Sequence, residues 1–302
     1  MIDFRYHVVS IVAVFLALAV GIVLGSGPLK DDISGFLEDR TEQLAQEKVD
    51  LQDEVSALRN EIEYNESFSE LSQPVLIDNL LTSHVTSVIV LPESDGDDVD
   101  AVENAIDSAG GTLGSRVTLQ PSWGDPELAD TLGRIASVRG DERGDDPYEL
   151  AGQALADSLL DPGGRTIGEP PSDLSTLIAL DSEGFVTTEG DVLSADTAVV
   201  VGPDGVVQGA DRYVVPLLRS LDEIGEGTVL AAPLGSDESN GVIGVLRGSD
   251  VEATVSSEDR LDTVTGVTVT IAALAEQIAG GVGHYGMGEG ADGPAPDPLP
   301  RG

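Results

Sequence analysis

The chain has 302 residues, 40% of them hydrophobic but only 4% aromatic, and a formal net charge of -40 from 55 acidic and 15 basic residues. That length allows one large or two small domains with a core of Val, Leu, Ile and Ala. The charge excludes the basic footprint that nucleic-acid binding needs, leaving cations, a basic partner or a general adaptation to salt as its meaning, and the absence of cysteine excludes disulfides, thiolate nucleophiles and cysteine metal sites.

The first element is Val8 to Leu24, VVSIVAVFLALAVGIVL, with no charge and a single hydroxyl, Ser10. As a helix it spans roughly 26 Å, near the short end of what crosses a bilayer. Val8, Phe15, Leu16, Leu18 and Leu24 would face lipid, with Tyr6 at the interface. The rival reading is a cleaved signal peptide, with small residues Ala17 and Ala19 before a new first residue, Val20. The apolar run continues to Leu24, which favours a retained anchor within residues 1–28. Arg5 and the terminal amine on one side nearly balance Lys30 and Arg40 on the other, so charge alone does not orient the span. Large domains after such an anchor cross largely regardless of charge, so the expectation is a single pass through the cell membrane, N-terminus cytoplasmic and bulk extracytoplasmic.

Residues 29–71 are expected to form a stalk, and from Ile33 onward the period is seven. Leu37, Leu44, Leu51 and Leu58 repeat at position d, and Ser34, Thr41, Lys48, Val55 and Ile62 occupy a. Leucine at d with β-branched Val55 and Ile62 at a favours a parallel two-stranded coil, with Glu54 at g able to meet Arg59 at e of a partner helix. The expectation is a coiled-coil stalk, about 50 Å long over Ile33 to Asn65, that makes the protein a homodimer. The alternative is a lone amphipathic helix packed on its own globular domain. Ser72 to Pro74 is expected to end it.

Residues 72–285 read as a layered, mainly parallel α/β domain. Ser87 to Leu91 is a continuous apolar run, as in a strand buried on both faces. Val99 to Ala109 is helical by period, stopped by Gly110 and Gly111, and Thr112 to Leu119 is the next strand, giving a β–α–β unit with an expected right-handed crossover. Helices over Pro126 to Val138 and Tyr148 to Leu160 flank a charged loop, Arg139 to Asp146, and Pro162 to Pro171 is a second loop. Ser175 to Leu180 reads as a strand. A second unit follows, with strands Thr197 to Val201 and Thr228 to Ala232 around a helix over Arg212 to Leu221. Gly241 to Leu246 suggests a further strand, and Thr263 to Ile278 a final helix. Residues 286–302, rich in Gly, Pro and acid, are expected to be disordered.

Candidate chemistry is sparse. Asp95, Asp97, Asp98 and Asp100 follow a strand and open a helix. They offer oxygen ligands of the kind calcium takes, but acids at a helix start are also ordinary caps. Gly202, Pro203, Asp204 and Gly205 follow a strand, where α/β sheets bind ligands, but the same residues make a tight turn. No GxGxxG or GxxxxGK[ST] occurs. The histidines are His7, His84 and His284, and no GxSxG precedes a helix, so no catalytic set is apparent and the chain is not expected to be an enzyme. His284 and Met287 are weak candidates for a metal. Trp123, if exposed, would suit a sugar- or peptidoglycan-binding head; beside Pro121 it would instead close the core.

Three stretches carry a family resemblance: IDFRYHVVSIVAVFLALAVGIVLGSGPL at the N-terminus, SVIVLP followed by AVENAIDSAGGTLGSRVTLQPSW, and DRLDTVTGVTVTIAALAEQIAGGVGHYG near the end. Together they resemble the actinobacterial copper transport protein B (MctB) family over nearly the whole chain. The resemblance implies a copper transporter-like membrane protein acting in copper export or homeostasis at the cell envelope, with an outer-membrane location implied for some members. Copper is implied by the resemblance alone, and no cofactor is identified from the residues. Cu(I) prefers thiolate and thioether ligands, and the only methionines are Met1 and Met287. One apolar helix does not enclose a channel, and the repeated ten-residue alternating strands of a membrane barrel are not found. The residues themselves suit an alternative, a non-catalytic coiled-coil dimer that binds a partner through its stalk or head; a role with a second envelope protein in regulating cell separation is implied by the resemblance, since some family members look like proteins of that kind.

Overall fold

The computed structural model describes residues 4–26, 28–137, 146–161 and 167–300. Most of the expected loop Arg139 to Asp146, and the first half of the expected loop Pro162 to Pro171, fall outside these residues. The chain divides into Met1–Asn65 and Glu66–Gly302.

The first unit is helical. Helix α1, Phe4–Ser26, contains a 22-residue apolar stretch, Phe4–Gly25, the one helix among the described residues long and apolar enough to cross a membrane. It reaches roughly 33 Å, enough for a hydrocarbon core of about 30 Å. It starts four residues before Val8 because Phe4 and Tyr6 extend the apolar surface, and it exposes Val8, Phe15, Leu16, Leu18 and Leu24. Helix α2, Pro28–Leu76, carries the heptad residues. Leu44, Leu51, Val55, Leu58 and Ile62 are 45% to 60% exposed in the single chain; the side chain of Leu37 lies outside the described ones.

The last turns of α2, from Glu66, belong to the second unit. The helix does not stop at Ser72 to Pro74 as expected. Pro74 forfeits its own N–H bond and its ring crowds the Glu70 carbonyl, but the chain stays helical past it, and the Ile77 N–H still reaches the Gln73 carbonyl at 3.0 Å. Tertiary bonds hold this end. Ser69 Oγ lies 3.1 Å from Thr265 Oγ1, and Gln73 Nε2 donates to Thr268 Oγ1 at 3.2 Å. Both threonines sit on the final helix, described below.

The second unit is a seven-stranded sheet between two layers of helices. Its strands are β1 Val85–Val90, β2 Thr112–Leu119, β3 Val186–Glu189, β4 Thr197–Val201, β5 Gly227–Ala231, β6 Ser256–Glu258 and β7 His284–Tyr285. They lie in the order β3-β2-β1-β4-β5-β6-β7. All neighbours pair in parallel except β2 with β3. The central strands are wholly buried, as their unbroken apolar runs require. Strand β1 sends Val85 and Ile89 into one core and Val88 and Val90 into the other, following the two-residue alternation of a strand.

Helix α3, Gly96–Ser108, connects β1 to β2 and buries Val99, Val102, Ala105 and Ile106. It shares its layer with α9, Val264–Ile278, and with Ile77 and Leu81. The opposite layer holds α4 Ala129–Ala136, α5 Pro147–Leu159, α6 Ser175–Ser182, α7 Ala210–Ile224 and α8 Val242–Arg247. Trp123 is fully buried on a short 3-10 turn, Pro121–Gly124, and belongs to this core. It is not available to stack on a sugar.

Two expected strands are helices. Ser175 to Leu180 forms α6, burying Thr176, Leu177 and Leu180 while Ile178 faces water. Gly241 to Leu246 leads into α8, burying Val242, Ile243 and Leu246. Both show the i, i+1, i+4 spacing of a helix face, which a run of six residues cannot separate from a buried strand. Strands β3, β6 and β7 have no counterpart in the sequence reading, because they are short and polar. The expected helix over Pro126 to Val138 is confined to α4, with Val138 outside the described residues.

The tail from residue 286 is not disordered over its first part. The Met287 and Gly288 N–H groups donate to the Asp259 carboxylate at 2.8 and 3.1 Å. Glu289 N–H reaches Asp237 at 3.1 Å, and Asp292 N–H reaches the His284 carbonyl at 2.7 Å. Gly286 permits this approach: its φ is +124°, and a Cβ there would lie 2.0 Å from Asp259 Oδ1. Composition alone reads as disorder, but a buried carboxylate supplies acceptors for the backbone.

Candidate functional site

The strand order reverses between β1 and β4, and in open α/β sheets ligands sit beyond the carboxyl ends of the strands at such a reversal. Here that crevice is acidic. Asp95 caps α3, accepting from the Asp97 N–H at 2.9 Å. Asp97 and Asp98 occupy the first turn of the helix. Burial first, then the charges of Asp95, Asp262, Asp97 and Asp204, holds the Asp98 carboxyl above its ordinary range. Asp100 turns away to pair with Arg116 at 2.6 Å, a guanidinium it shares with Glu103. The four acids therefore do not converge on one ion. The turn Gly202 to Gly205 faces the same like charges, which repel a phosphate.

His284 is a structural histidine. Its Nε2 lies 3.0 Å from the Glu252 carbonyl, which only accepts, so Nε2 carries the proton. Nδ1 is then left to accept from the Ser257 hydroxyl at 2.9 Å. Ser257 in turn accepts from Arg247 Nε at 3.1 Å. Both ring nitrogens are engaged in a buried setting. Met287 is 76% exposed, and its Sδ accepts from Arg260 Nη1 at 3.0 Å; a guanidinium beside the sulfur opposes binding of Cu(I).

Next to these residues lies a buried polar node. Arg247 and Asp259, 5% and 0% exposed, pair at 2.8 Å, and Arg247 Nη2 also donates to the Tyr285 carbonyl at 2.9 Å. Glu258, on β6, is buried and its Oε2 has no hydrogen-bond partner. Burial, aided by Asp259 and Asp262 and opposed by the Arg260 backbone N–H and charge, pushes its carboxyl up to about 8. Glu258 is therefore mostly protonated near neutral pH.

At the opposite edge of the sheet lies the one group of three His, Asp or Glu side chains, among the described residues, whose donor atoms all fall within 4.8 Å of one another: His84, Asp196 and Glu226. Each immediately precedes a strand, β1, β4 and β5 respectively, and these three strands are neighbours. The parallel ladder sets their positions. Asp196 N–H donates to the Val85 carbonyl at 3.0 Å, and Glu226 N–H to the Asp196 carbonyl at 2.6 Å. Gly225 lets the two chains close up, since a Cβ there would come within 3.2 Å of the Asp196 carbonyl oxygen. His84 follows Ser83, whose φ of +72° turns the chain into β1.

His84 Nδ1 stands 2.8 Å from Asp196 Oδ2, the side chains 21% and 5% exposed. Asp196 Oδ1 accepts from the Val85 N–H at 2.9 Å, which locks the carboxylate plane and aims Oδ2 at the imidazole. Glu226 is exposed and closes the group from the solvent side. The sequence reading noted His84 only as one of three histidines and did not single out Asp196 or Glu226. Nothing in their spacing connects them; the only local signal is that each stands at the start of an apolar run.

Comparison with known proteins gives one consistent result. The family model described as "Copper transport outer membrane protein, MctB" matches residues 1–296. Proteins named "Copper transporter MctB" from Mycobacterium tuberculosis (strain ATCC 25618 / H37Rv) and Mycobacterium bovis are each 31% identical to this chain, over 96% of its length and 98% of theirs. The protein of that name from Mycobacterium leprae is 31% identical over the same shares.

Proposed function

From the premise that this chain belongs to the MctB copper transport family, we propose that it handles copper as cargo at the cell envelope, in export or homeostasis. The observation that supports this reading is the extent of the likeness: anchor, long helix and sheet domain all fall within the matched residues 1–296. The alternative role in cell separation draws no support from the relatives' names.

The finer parts of the reading are physical. α1 anchors the chain in the cell membrane by a single pass, with the sheet domain extracytoplasmic. A single apolar helix cannot enclose an aqueous path, so passage of copper requires further chains. The heptad stripe on α2 answers part of that need: its exposed leucines pair two copies in a parallel coiled coil. A second envelope protein is the natural source of any remaining pathway. The head acts by binding, without catalysis. The family description speaks of an outer membrane, but both faces of this sheet are covered by helices, whereas the wall of a membrane barrel faces lipid.

The test is genetic and direct. Deleting the gene is expected to lower copper tolerance and raise cell-associated copper, and returning the gene to restore both. Unchanged tolerance and unchanged copper content after deletion would reject the copper reading.

A further inference from the structure

We propose that His84, Asp196 and Glu226 form a binding site for divalent copper at the amino-terminal edge of the sheet. The proposal deepens the copper reading and rests on it for the choice of metal; the site itself rests on geometry. Thiolates are absent from the sequence, and the Met287 sulfur lies against a guanidinium. The donors that do converge are one imidazole and two carboxylates. Nitrogen and oxygen ligands of this kind suit Cu(II), and a tetragonal arrangement is its preferred geometry.

The spacing of the two inner donors agrees with that choice. Two donors each about 2.0 Å from a metal stand about 2.8 Å apart at a right angle and about 3.3 Å apart at a tetrahedral angle. His84 Nδ1 and Asp196 Oδ2 are separated by 2.8 Å, the right-angle spacing, so an ion bound to both sits to one side of the line between them and the proton they share leaves to solvent. The Val85 N–H on Asp196 Oδ1, at 2.9 Å, is the outer hydrogen bond that ligating carboxylates ordinarily have. A neutral imidazole with two carboxylates balances the ion's charge, and Asp196, nearly buried, gains the cationic neighbour that a desolvated carboxylate requires. Water completes the coordination on the exposed Glu226 side, which leaves a route for the ion to enter and leave.

The experiment uses the full chain in detergent. Copper sulfate is titrated in the presence of a weak competing chelator, and binding is followed by calorimetry and by electron paramagnetic resonance. The wild type is expected to bind Cu2+ saturably with a nitrogen-and-oxygen signal. The amino terminus and His7 offer a second copper-binding place, so the variants carry the assignment. Glu226→Gln alters only an exposed side chain and should weaken this site by at least about tenfold. His84→Gln should remove the nitrogen coupling and one equivalent of Cu2+. Circular dichroism and the melting temperature without copper check that each variant is folded; if His84→Gln is not, Glu226→Gln decides. Unchanged stoichiometry and spectrum in folded variants overturn the site, as does a wild type without saturable binding. The site and the family reading fail separately: a deletion strain rescued equally by wild type and by Glu226→Gln counts against the site alone, whereas deletion without any copper phenotype counts against the reading.

Discussion

At the scale of single residues, charge burial explains more than composition does. Glu258 is a carboxyl on a buried strand with one oxygen unpartnered, and desolvation moves it from an ordinary 4.5 to about 8. Between those values the folded protein keeps a proton that the unfolded chain has released. Its contribution to stability is therefore fully present below about pH 4.5 and is lost as pH rises through 8. Glu258→Gln keeps the shape and removes the titration. The difference in melting temperature between variant and wild type should grow in the variant's favour from pH 5 to pH 9; a constant difference would mean that Glu258 is already ionised in the fold. The same logic separates the site candidates. His284, with both nitrogens bonded, and Asp95, occupied as a cap, have work within the fold. His84 and Asp196 share a single polar contact next to an exposed carboxylate.

At the scale of elements, periodicity was legible where it was long. The heptad over α2 and the faces of α3, α7 and α9 extend over enough residues to distinguish a helix from a strand. The six-residue runs that became α6 and α8 do not, and only the layer they pack into decided their form. Pro74 was misleading because a helix end held by Ser69 and Gln73 tolerates a proline in its last turn. The α2 stripe makes a definite prediction. Burying a leucine contributes about 1.5–3 kcal/mol, so changing Leu44, Leu51 and Leu58 together to Lys should convert two chains to one. Light scattering of the full chain in detergent, corrected for bound detergent, reads this; a mass equal to wild type would mean that the stripe does not join copies.

At the scale of the whole molecule, an apolar helix of 22 residues is joined in one chain to a domain with two closed cores. Alkaline carbonate should leave the full chain in the membrane pellet, while a chain lacking residues 1–26 should appear in the supernatant. A full-length chain released by carbonate would mean that the apolar helix does not hold the protein in the bilayer, and a shortened chain in the supernatant would mean that the span is cleaved. The apolar N-terminal helix, the long helix after it and the α/β class were determined by the sequence alone, because each depends on hydropathy and period along neighbouring residues. The gathering of His84, Asp196 and Glu226 was decided only in three dimensions. These residues are far apart in the chain, and what unites them is that β1, β4 and β5 lie side by side in register, a pairing made by backbone hydrogen bonds that side-chain pattern does not record.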